Sequence, residues 1–282
     1  MATRRVALIG HPVAHSRSPA MMSAAFRALS LDAAYVPFDV APERLGEALA
    51  DLRTQGFLGA NVTVPHKVAA MAFLDRIDPL ATAVGAVNTL TLREDCLEGH
   101  NTDAHGVVAA LRDAGSELAG ARVVVIGTGG AARGAVAGLA TAGASAVTVL
   151  GRRGSLAREL SALADALSPG RSHAGYAMPS REAQRALSEA GVIVQATSCG
   201  MHGGPLAAEL LTRIDLSACS AGAFALDLVY APRETEFLKA AIGHGLRGVD
   251  GLGVLLHQGA RAISLWFGVD GPIAAMRASL EY

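Results

Sequence analysis

Apolar residues along this chain fall into two kinds of run, and the two kinds alternate. Short β-rich runs at 6–9, 35–40, 58–64 and 86–92 read as strands. Between them, 19–29, 42–54 and 65–74 carry apolar positions at helical spacing. Each of these opens on a proline (Pro19, Pro42, Pro65), which suits a first helical position because its missing N–H would have had no partner there. A second series starts at Arg122: a strand to Ile126, a glycine turn, a helix to about Thr141, a strand at 146–150 and a helix to about Leu167. Further strands are expected at 191–195 and 223–229. Strand–helix alternation predicts parallel sheet and an α/β class. Two sheets are more economical than one very wide sheet, so a domain boundary is expected near Asp103, with 104–114 as a linking helix. The last helical stretches, 251–267 and 272–280, have no strand after them and are expected to return to the first domain. The predicted division is therefore 1–103 plus 251–282 against 104–250.

Composition narrows the class of protein without naming a chemistry. A chain of 282 residues, 51% apolar and 17% charged, is globular and long enough for one large or two ordinary cores. A net charge of −1 with no dominant basic stripe gives no reason to expect a nucleic-acid partner. Three cysteines, Cys96, Cys199 and Cys219, are an odd number without metal-ligand spacing, and fit a reducing cytoplasm. The apolar run after Arg4-Arg5 is too short for a signal peptide, and no uncharged run reaches a membrane span, so a soluble cytoplasmic protein is expected.

Candidate chemistry sits where apolar strands give way to polar segments. Asn61-Val-Thr-Val-Pro-His-Lys67 and Asn101-Thr-Asp103 each end in a charged side chain at such a point, and a lysine and an aspartate so delivered can form a proton-handling pair. Lys67 is read in the first turn of the helix opening at Pro65, where the helix dipole disfavours a cation, while Asp103 would stabilise the ammonium. An exposed lysine is usually only solvated, but the polar Asn-x-Thr-x-Pro strand end before this one is hard to explain by packing. In Gly10-His-Pro-Val-Ala-His-Ser-Arg-Ser-Pro19, Ser18 reads as an N-cap, whereas Ser16 lies before the cap with no such duty. Two hydroxyls beside a helix N-terminus make a receptor for a carboxylate.

The segment Ala121-Arg-Val-Val-Val-Ile-Gly-Thr-Gly-Gly-Ala-Ala-Arg-Gly134 is a buried-type strand, a glycine turn and a small-residue helix start. Gly127, Gly129 and Ala132 fit the dinucleotide fingerprint: a tight turn, close approach of backbone to pyrophosphate, and close helix–strand packing. At the end of the next strand an NAD site usually carries an acid for the ribose 2′-hydroxyl. This chain has Leu150-Gly-Arg-Arg-Gly154 there instead, and two guanidinium groups suit the 2′-phosphate of NADP. A solvated arginine pair opening the next helix is the bland alternative.

With these pieces in order, the chain resembles the shikimate dehydrogenase family nearly end to end. The resemblance rests on Gly10–Pro19, Gly59-Ala-Asn-Val-Thr-Val-Pro-His-Lys67, Gly85-Ala-Val-Asn-Thr89, Asn101-Thr-Asp103 and Gly127–Gly134. It continues through Ala196-Thr-Ser198, Asp227-Leu-Val-Tyr230 and Asp250-Gly-Leu-Gly-Val-Leu-Leu-His-Gln258. It implies an N-terminal α/β substrate-binding domain completed by C-terminal helices, and a Rossmann-type NADP-binding domain. It implies Lys67 and Asp103 as the catalytic pair, and Ser16, Ser18, Thr63, Asn88, Asn101, Tyr230 and Gln258 as ligands of the substrate's carboxylate and hydroxyls. The cofactor side would comprise Gly127, Thr128, Gly129, Gly130, Ala131, Arg152, Arg153, Thr197, Leu228 and Gly251. The implied reaction is reversible NADPH-dependent reduction of 3-dehydroshikimate to shikimate, with no metal, no nucleic acid and no membrane, in a monomer or homodimer. A catabolic quinate/shikimate dehydrogenase using NAD is the nearest rival, and a non-catalytic metabolite sensor is the rival from another class. The chain departs from the family where Gly151-Arg-Arg153 replaces a frequent Asn-Arg-Thr, and where Gln195 stands in place of a common Asn.

Overall fold

A computed structural model of the chain describes residues 3–280. It contains two compact units, Met1–Thr102 with Leu256–Tyr282, and Asp103–Leu255.

The first unit starts with β1 (Arg4–Gly10), α1 (Ser18–Ala28), β2 (Ala33–Asp39), α2 (Leu45–Thr54) and β3 (Phe57–Val62). It continues with β4 (Arg76–Ile77), α3 (Pro79–Val84), β5 (Thr89–Arg93) and β6 (Cys96–His100). The sheet order is β2-β1-β3-β5-β6-β4. β1 runs parallel to β2 and β3, but β5 is antiparallel to β3 and β6 antiparallel to β5. The expectation of parallel sheet therefore fails for this half of the unit. Between β5 and β6 the reversal is a two-residue hairpin: Glu94 and Asp95 both have positive φ (48° and 62°) between the paired residues Arg93 and Cys96, which turns the chain with the twist a hairpin favours. Four charged residues around that turn hid β6 from a reading by apolar period.

The predicted helix at 65–74 is also corrected. Residues 64–68 are turns, followed by a 3₁₀ segment at Ala69–Phe73. The Lys67 carbonyl, which an α-helix would have given to residue 71, instead accepts from the Val87 N–H at 2.8 Å. Likewise Pro42 opens a 3₁₀ turn, Pro42–Arg44, and α2 begins only at Leu45. Along β1 the apolar residues are buried on both faces: Ala7 and Ile9 join Leu45, Leu49 and Leu52 of α2 in one core, while Val6 and Leu8 are buried on the other face.

The second unit is a regular alternation: α4 (Asp103–Asp113), β7 (Arg122–Ile126), α5 (Gly130–Thr141), β8 (Ala146–Gly151), α6 (Gly154–Leu167), β9 (Ser172–Ala177), α7 (Arg181–Ser188), β10 (Val192–Gln195), α8 (Ala207–Leu211), β11 (Phe224–Asp227), α9 (Glu236–Gly243) and β12 (Arg247–Val249). All six strands are parallel, in the order β12-β11-β10-β7-β8-β9. The chain thus winds outward in both directions from the adjacent strands β7 and β10, the doubly wound arrangement of dinucleotide folds. The period-2 rule is visible in the cores: Val123, Val125, Val192 and Val194 pack in one, Val124, Ile126 and Ile193 in the other. Strands buried on both faces carry the continuous apolar runs by which they were legible. β9, α7, α8, α9 and β12 had weaker signals. α7, for example, buries only Ala183 and Leu187 of its eight residues.

α10 (Leu252–Phe267) opens at the end of the second unit and supplies its remaining turns to the first, followed by α11 (Ile273–Ala278). Within the first unit the Trp266 indole N–H donates to the Leu90 carbonyl at 2.9 Å, the Arg93 guanidinium donates to the Leu265 carbonyl at 2.8 Å, and Phe267 meets Phe26 edge-on at 5.4 Å. These contacts seat the end of α10 on β5 and α1. No helix among the described residues is long and apolar enough to cross a membrane.

Candidate active site

In the first unit the predicted substrate residues collect at one sheet edge. Thr63 follows the last residue of β3, Asn88 precedes the first residue of β5, and Asn101 follows the last residue of β6. Because β5 is antiparallel to both neighbours, with Thr89 paired to Asn61 and to His100, these three positions come to the same edge. Asn88 is the hub of a buried network. Its side-chain Oδ1 accepts from the Thr102 N–H (2.7 Å) and the hydroxyls of Thr89 and Thr102 (3.2 Å each). Its amide donates to the Thr102 hydroxyl at 3.0 Å and to Gln258 Oε1 at 3.5 Å. Asn101 donates to the Ala86 carbonyl at 2.9 Å. Asn61 is crosslinked too: it accepts from the Tyr35 hydroxyl at 2.8 Å and donates to the Asn88 carbonyl and the Thr89 hydroxyl. Buried amides so fully engaged hold one geometry, since each broken bond would leave a polar atom unsatisfied.

Lys67 lies beside this network in the chain's path, its carbonyl tied to Val87, the residue before Asn88. It precedes a 3₁₀ segment rather than sitting in an α-helix, so the helix-dipole argument made for it does not apply. Its neighbour His66 is buried, with Nε2 2.7 Å from the Val40 carbonyl, which pins the loop to the end of β2. Ser16 and Ser18 also need correction. The helix starts at Ser18, with Arg17 as the capping position, and the Ser16 hydroxyl accepts from the Ser18 N–H at 3.3 Å. Ser16 thus has the local duty that had been assigned to Ser18. His11 pairs with Asp39, and the hydrogen bond from His11 holds that carboxyl below its ordinary value. Asp78 caps α3 and pairs with His100 at 3.0 Å. Burial pushes this carboxyl up, but bonds from His100 and the Ala81 N–H outweigh it and hold it below the usual range.

Asp103, the residue after Thr102, is the first residue of α4 and belongs to the second unit, as does Tyr230, half-buried after β11. The predicted cofactor residues of that unit share a carboxyl edge as well. Gly127 to Ala131 follow β7, Arg152 and Arg153 follow β8, Thr197 follows β10 and Leu228 follows β11. Gly127 has φ 124°, and a side chain there would lie 3.0 Å from the Ala196 carbonyl oxygen, so the turn requires glycine. Gly129, the capping position of α5, faces open space where its Cβ would point. A backbone bare on that side beside a helix N-terminus fits a pyrophosphate. Arg152 and Arg153 are exposed and, among the described residues, neither guanidinium has a protein partner. Two unpaired cations at this strand end fit a 2′-phosphate.

Three polar groups of this edge escaped the reading of the sequence as site residues. Gln195 and Asp227, the last residues of β10 and β11, are fully buried and bonded to each other at 3.2 Å, and Thr235 donates its hydroxyl to Asp227 at 2.6 Å. In the first unit Thr89 and Thr102 were likewise missed. Their only signal was position, directly beside Asn88 and Asn101 in the polar motifs. Cys199 is half-buried, and its carbonyl accepts from Gln195. Among the described residues no cluster of three or more His, Cys, Asp or Glu could hold a metal ion.

A doubly wound nucleotide unit and a mixed-sheet unit with a buried amide–hydroxyl edge define a two-domain α/β protein of the Rossmann-containing dehydrogenase type. Comparison with known proteins is specific. Residues 8–90 match the shikimate dehydrogenase substrate binding domain, 109–234 the shikimate/quinate 5-dehydrogenase domain, and 251–281 the shikimate 5′-dehydrogenase C-terminal domain. The shikimate dehydrogenase (NADP(+)) of Symbiobacterium thermophilum is 45% identical over 98% of this chain and 93% of its own length. Among solved structures, the shikimate 5-dehydrogenase of Thermus thermophilus in complex with NADP(H) and shikimate is 35% identical over 98% of each chain, with a TM-score of 0.84. The quinate dehydrogenase of Corynebacterium glutamicum in complex with NAD is 29% identical over 99% of this chain and 98% of its own, with a TM-score of 0.87. The chain belongs to the shikimate dehydrogenase family.

Proposed function

We propose that this protein is an NADP-dependent shikimate dehydrogenase, reversibly reducing 3-dehydroshikimate to shikimate on the route to aromatic amino acids. The observation that carries the reading is the carboxyl edge of the first sheet, where Asn88, Thr102 and Gln258 form one buried hydrogen-bonded cluster beside the loop of Lys67. Amides and hydroxyls held this way suit a ring bearing several hydroxyls, and the near-full-length relatives named for shikimate and NADP supply the identity of that ring.

In this reading Ser16 and Ser18 bind the carboxylate, and Thr63, Asn88, Asn101, Tyr230 and Gln258 bind the hydroxyls. In reduction, Lys67 donates a hydrogen bond to the ring carbonyl oxygen and delivers a proton to the alkoxide as it develops; in oxidation, neutral Lys67 takes that proton back. Asp103 orients the Lys67 ammonium and accepts from a substrate hydroxyl. Bound NADPH supplies the hydride to the carbonyl carbon. Gly127, Thr128, Gly129, Gly130 and Ala131 would hold its pyrophosphate, Arg152 and Arg153 its 2′-phosphate, and Thr197, Leu228 and Gly251 its nicotinamide end.

The three free cysteines support residence in a reducing cytoplasm, and both clusters come from one chain, so the proposal serves a monomer or a homodimer. Initial rates with shikimate and quinate, each paired with NADP and NAD, test the reading: the shikimate–NADP pair should be fastest. A maximum with quinate and NAD would replace it by the catabolic activity, to which the Corynebacterium structure gives a footing. Binding of shikimate without any reduction of NADP would replace it by a metabolite sensor.

A further inference from the structure

One buried acid takes no part in this chemistry. Asp227 ends β11, is fully buried, and accepts three hydrogen bonds. Its Oδ1 receives the Gln195 side-chain amide at 3.2 Å and the Val229 N–H at 2.9 Å; its Oδ2 receives the Thr235 hydroxyl at 2.6 Å. Burial pushes this carboxyl up to about 6, against the pull of those three donors, so it is mostly ionised at neutral pH. Three donors suit a carboxylate, which only accepts; a neutral amide in its place would turn one of its two ends into a donor facing donors.

Each partner of Asp227 is engaged a second time. Gln195 accepts from the Thr197 N–H through Oε1 and donates to the Cys199 carbonyl at 3.1 Å, closing the loop that leaves β10. The Thr235 hydroxyl accepts from the Leu238 N–H at 3.2 Å as the N-cap of α9. Gly251 packs on the same strand end: a Cβ there would lie 2.7 Å from the Leu228 carbonyl oxygen and 2.8 Å from that of Asp227. One carboxylate therefore ties together the exit loops of two neighbouring strands, and a third segment rests against its own backbone. Such a network holds one arrangement only while every member is satisfied.

We propose that Asp227 is the positioning residue for the nicotinamide end of the cofactor site. Without touching the dinucleotide, it acts through Gln195 and the 229–235 turn to set the backbone of Thr197 and Leu228 on which that end rests. The proposal depends on the assignment of Thr197, Leu228 and Gly251 to the cofactor made above. Its specific consequence is a split: the adenosine 2′-phosphate end, held at Arg152 and Arg153 on the other side of β7, is independent of Asp227.

The test compares Asp227→Asn, Gln195→Leu and Thr235→Val with the parent protein, in steady-state rates and in calorimetric binding of adenosine 2′,5′-bisphosphate, which reaches only the 2′-phosphate side. Loss of one buried charge-assisted bond predicts an NADPH KM raised about tenfold. The affinity for the bisphosphate should stay at the parent value. Thr235→Ser, which keeps the hydroxyl, should restore what Thr235→Val loses. Gln195→Leu and Thr235→Val keep the test open should Asp227→Asn not fold. An unchanged NADPH KM in these variants would overturn the proposal, and so would a parallel loss of NADPH and bisphosphate affinity, which marks general loosening. A parent protein that did not bind the bisphosphate would instead bring down the cofactor reading, and this proposal with it.

Discussion

The two sheets bring their candidate site residues to a carboxyl edge by opposite means. In the second unit every strand is parallel, so each strand exit reaches that edge automatically, and what arrives is mainly backbone: the bare turn at Gly127 to Gly130 and the start of α5. Such an edge suits phosphates, which need N–H groups and positive ends of helices. In the first unit β5 is reversed, so residues before a strand and after a strand meet, and what arrives is side chains. Asn88 and Thr102 are in mutual contact there because Thr89 pairs with His100. A mixed edge packed with amides and hydroxyls suits a polyol. The parallel edge leaves its cations exposed, whereas the mixed edge buries its polar groups and makes them part of the fold.

The contrast can be tested by substitution, beginning with the largest effect. Lys67→Ala should lower turnover about a thousandfold, the range of a positioned acid–base group, with the KM for substrate little changed. Unchanged kcat in steady-state assays would remove Lys67 from the chemistry. Replacing Arg152 and Arg153 together by alanine should cut the preference for NADP over NAD about a hundredfold in kcat/KM, two charge-assisted contacts being lost. Because both side chains are exposed and unpaired, melting temperature should not move; a clear drop would mean that this edge too is structural.

Asn88→Ala should do the reverse and destabilise the fold by about 2–3 kcal/mol in urea titrations, since it strips the buried Thr102 N–H of its acceptor. A midpoint equal to that of the parent would show that the mixed edge is not integral to the core. The smallest effect concerns pH. Asp227 has a folded-state pKa of about 6, raised above its unfolded value near 3.8, so the folded state holds its proton more tightly. Stability should fall as pH rises between those two values, then level off. Asp227→Asn should flatten that slope in denaturation curves taken across the window. Asp78 has the opposite sign. Its carboxyl is held below 3.8, so its contribution is present above that pH and lost as pH falls through the folded value.

The parallel edge was far more legible than the mixed one. Runs such as Val123–Val125 announce strands buried on both faces, and Gly127 announces a turn only glycine can make, so a period count and one fingerprint were enough to find the strands and the turn of that edge. β6 was invisible because Cys96-Leu-Glu-Gly-His100 carries little apolar signal, and its pairing comes from a hairpin whose residues, Glu94 and Asp95, look like solvated loop. The helix assigned at 65–74 had the right apolar spacing. It lost because Val87, twenty positions away, claimed the carbonyl that the helix needed. Ser16 and Ser18 both lie beside a helix start in the sequence, yet which of them bonds to the backbone depends on where the first turn closes.

What the chain's own order of residues determined was the class of architecture, the glycine turn and the charged ends of strands, because backbone sterics, side-chain period and the electrostatics of a strand end are local properties. What only the tertiary structure decided was which polar residues are bonded to which. The cluster of Asn88, Thr102 and Gln258, and the buried bond of Gln195 to Asp227, join residues between 14 and 170 positions apart. Such bonds are set by strand direction and register, and those follow from the burial of the whole sheet rather than from any one segment.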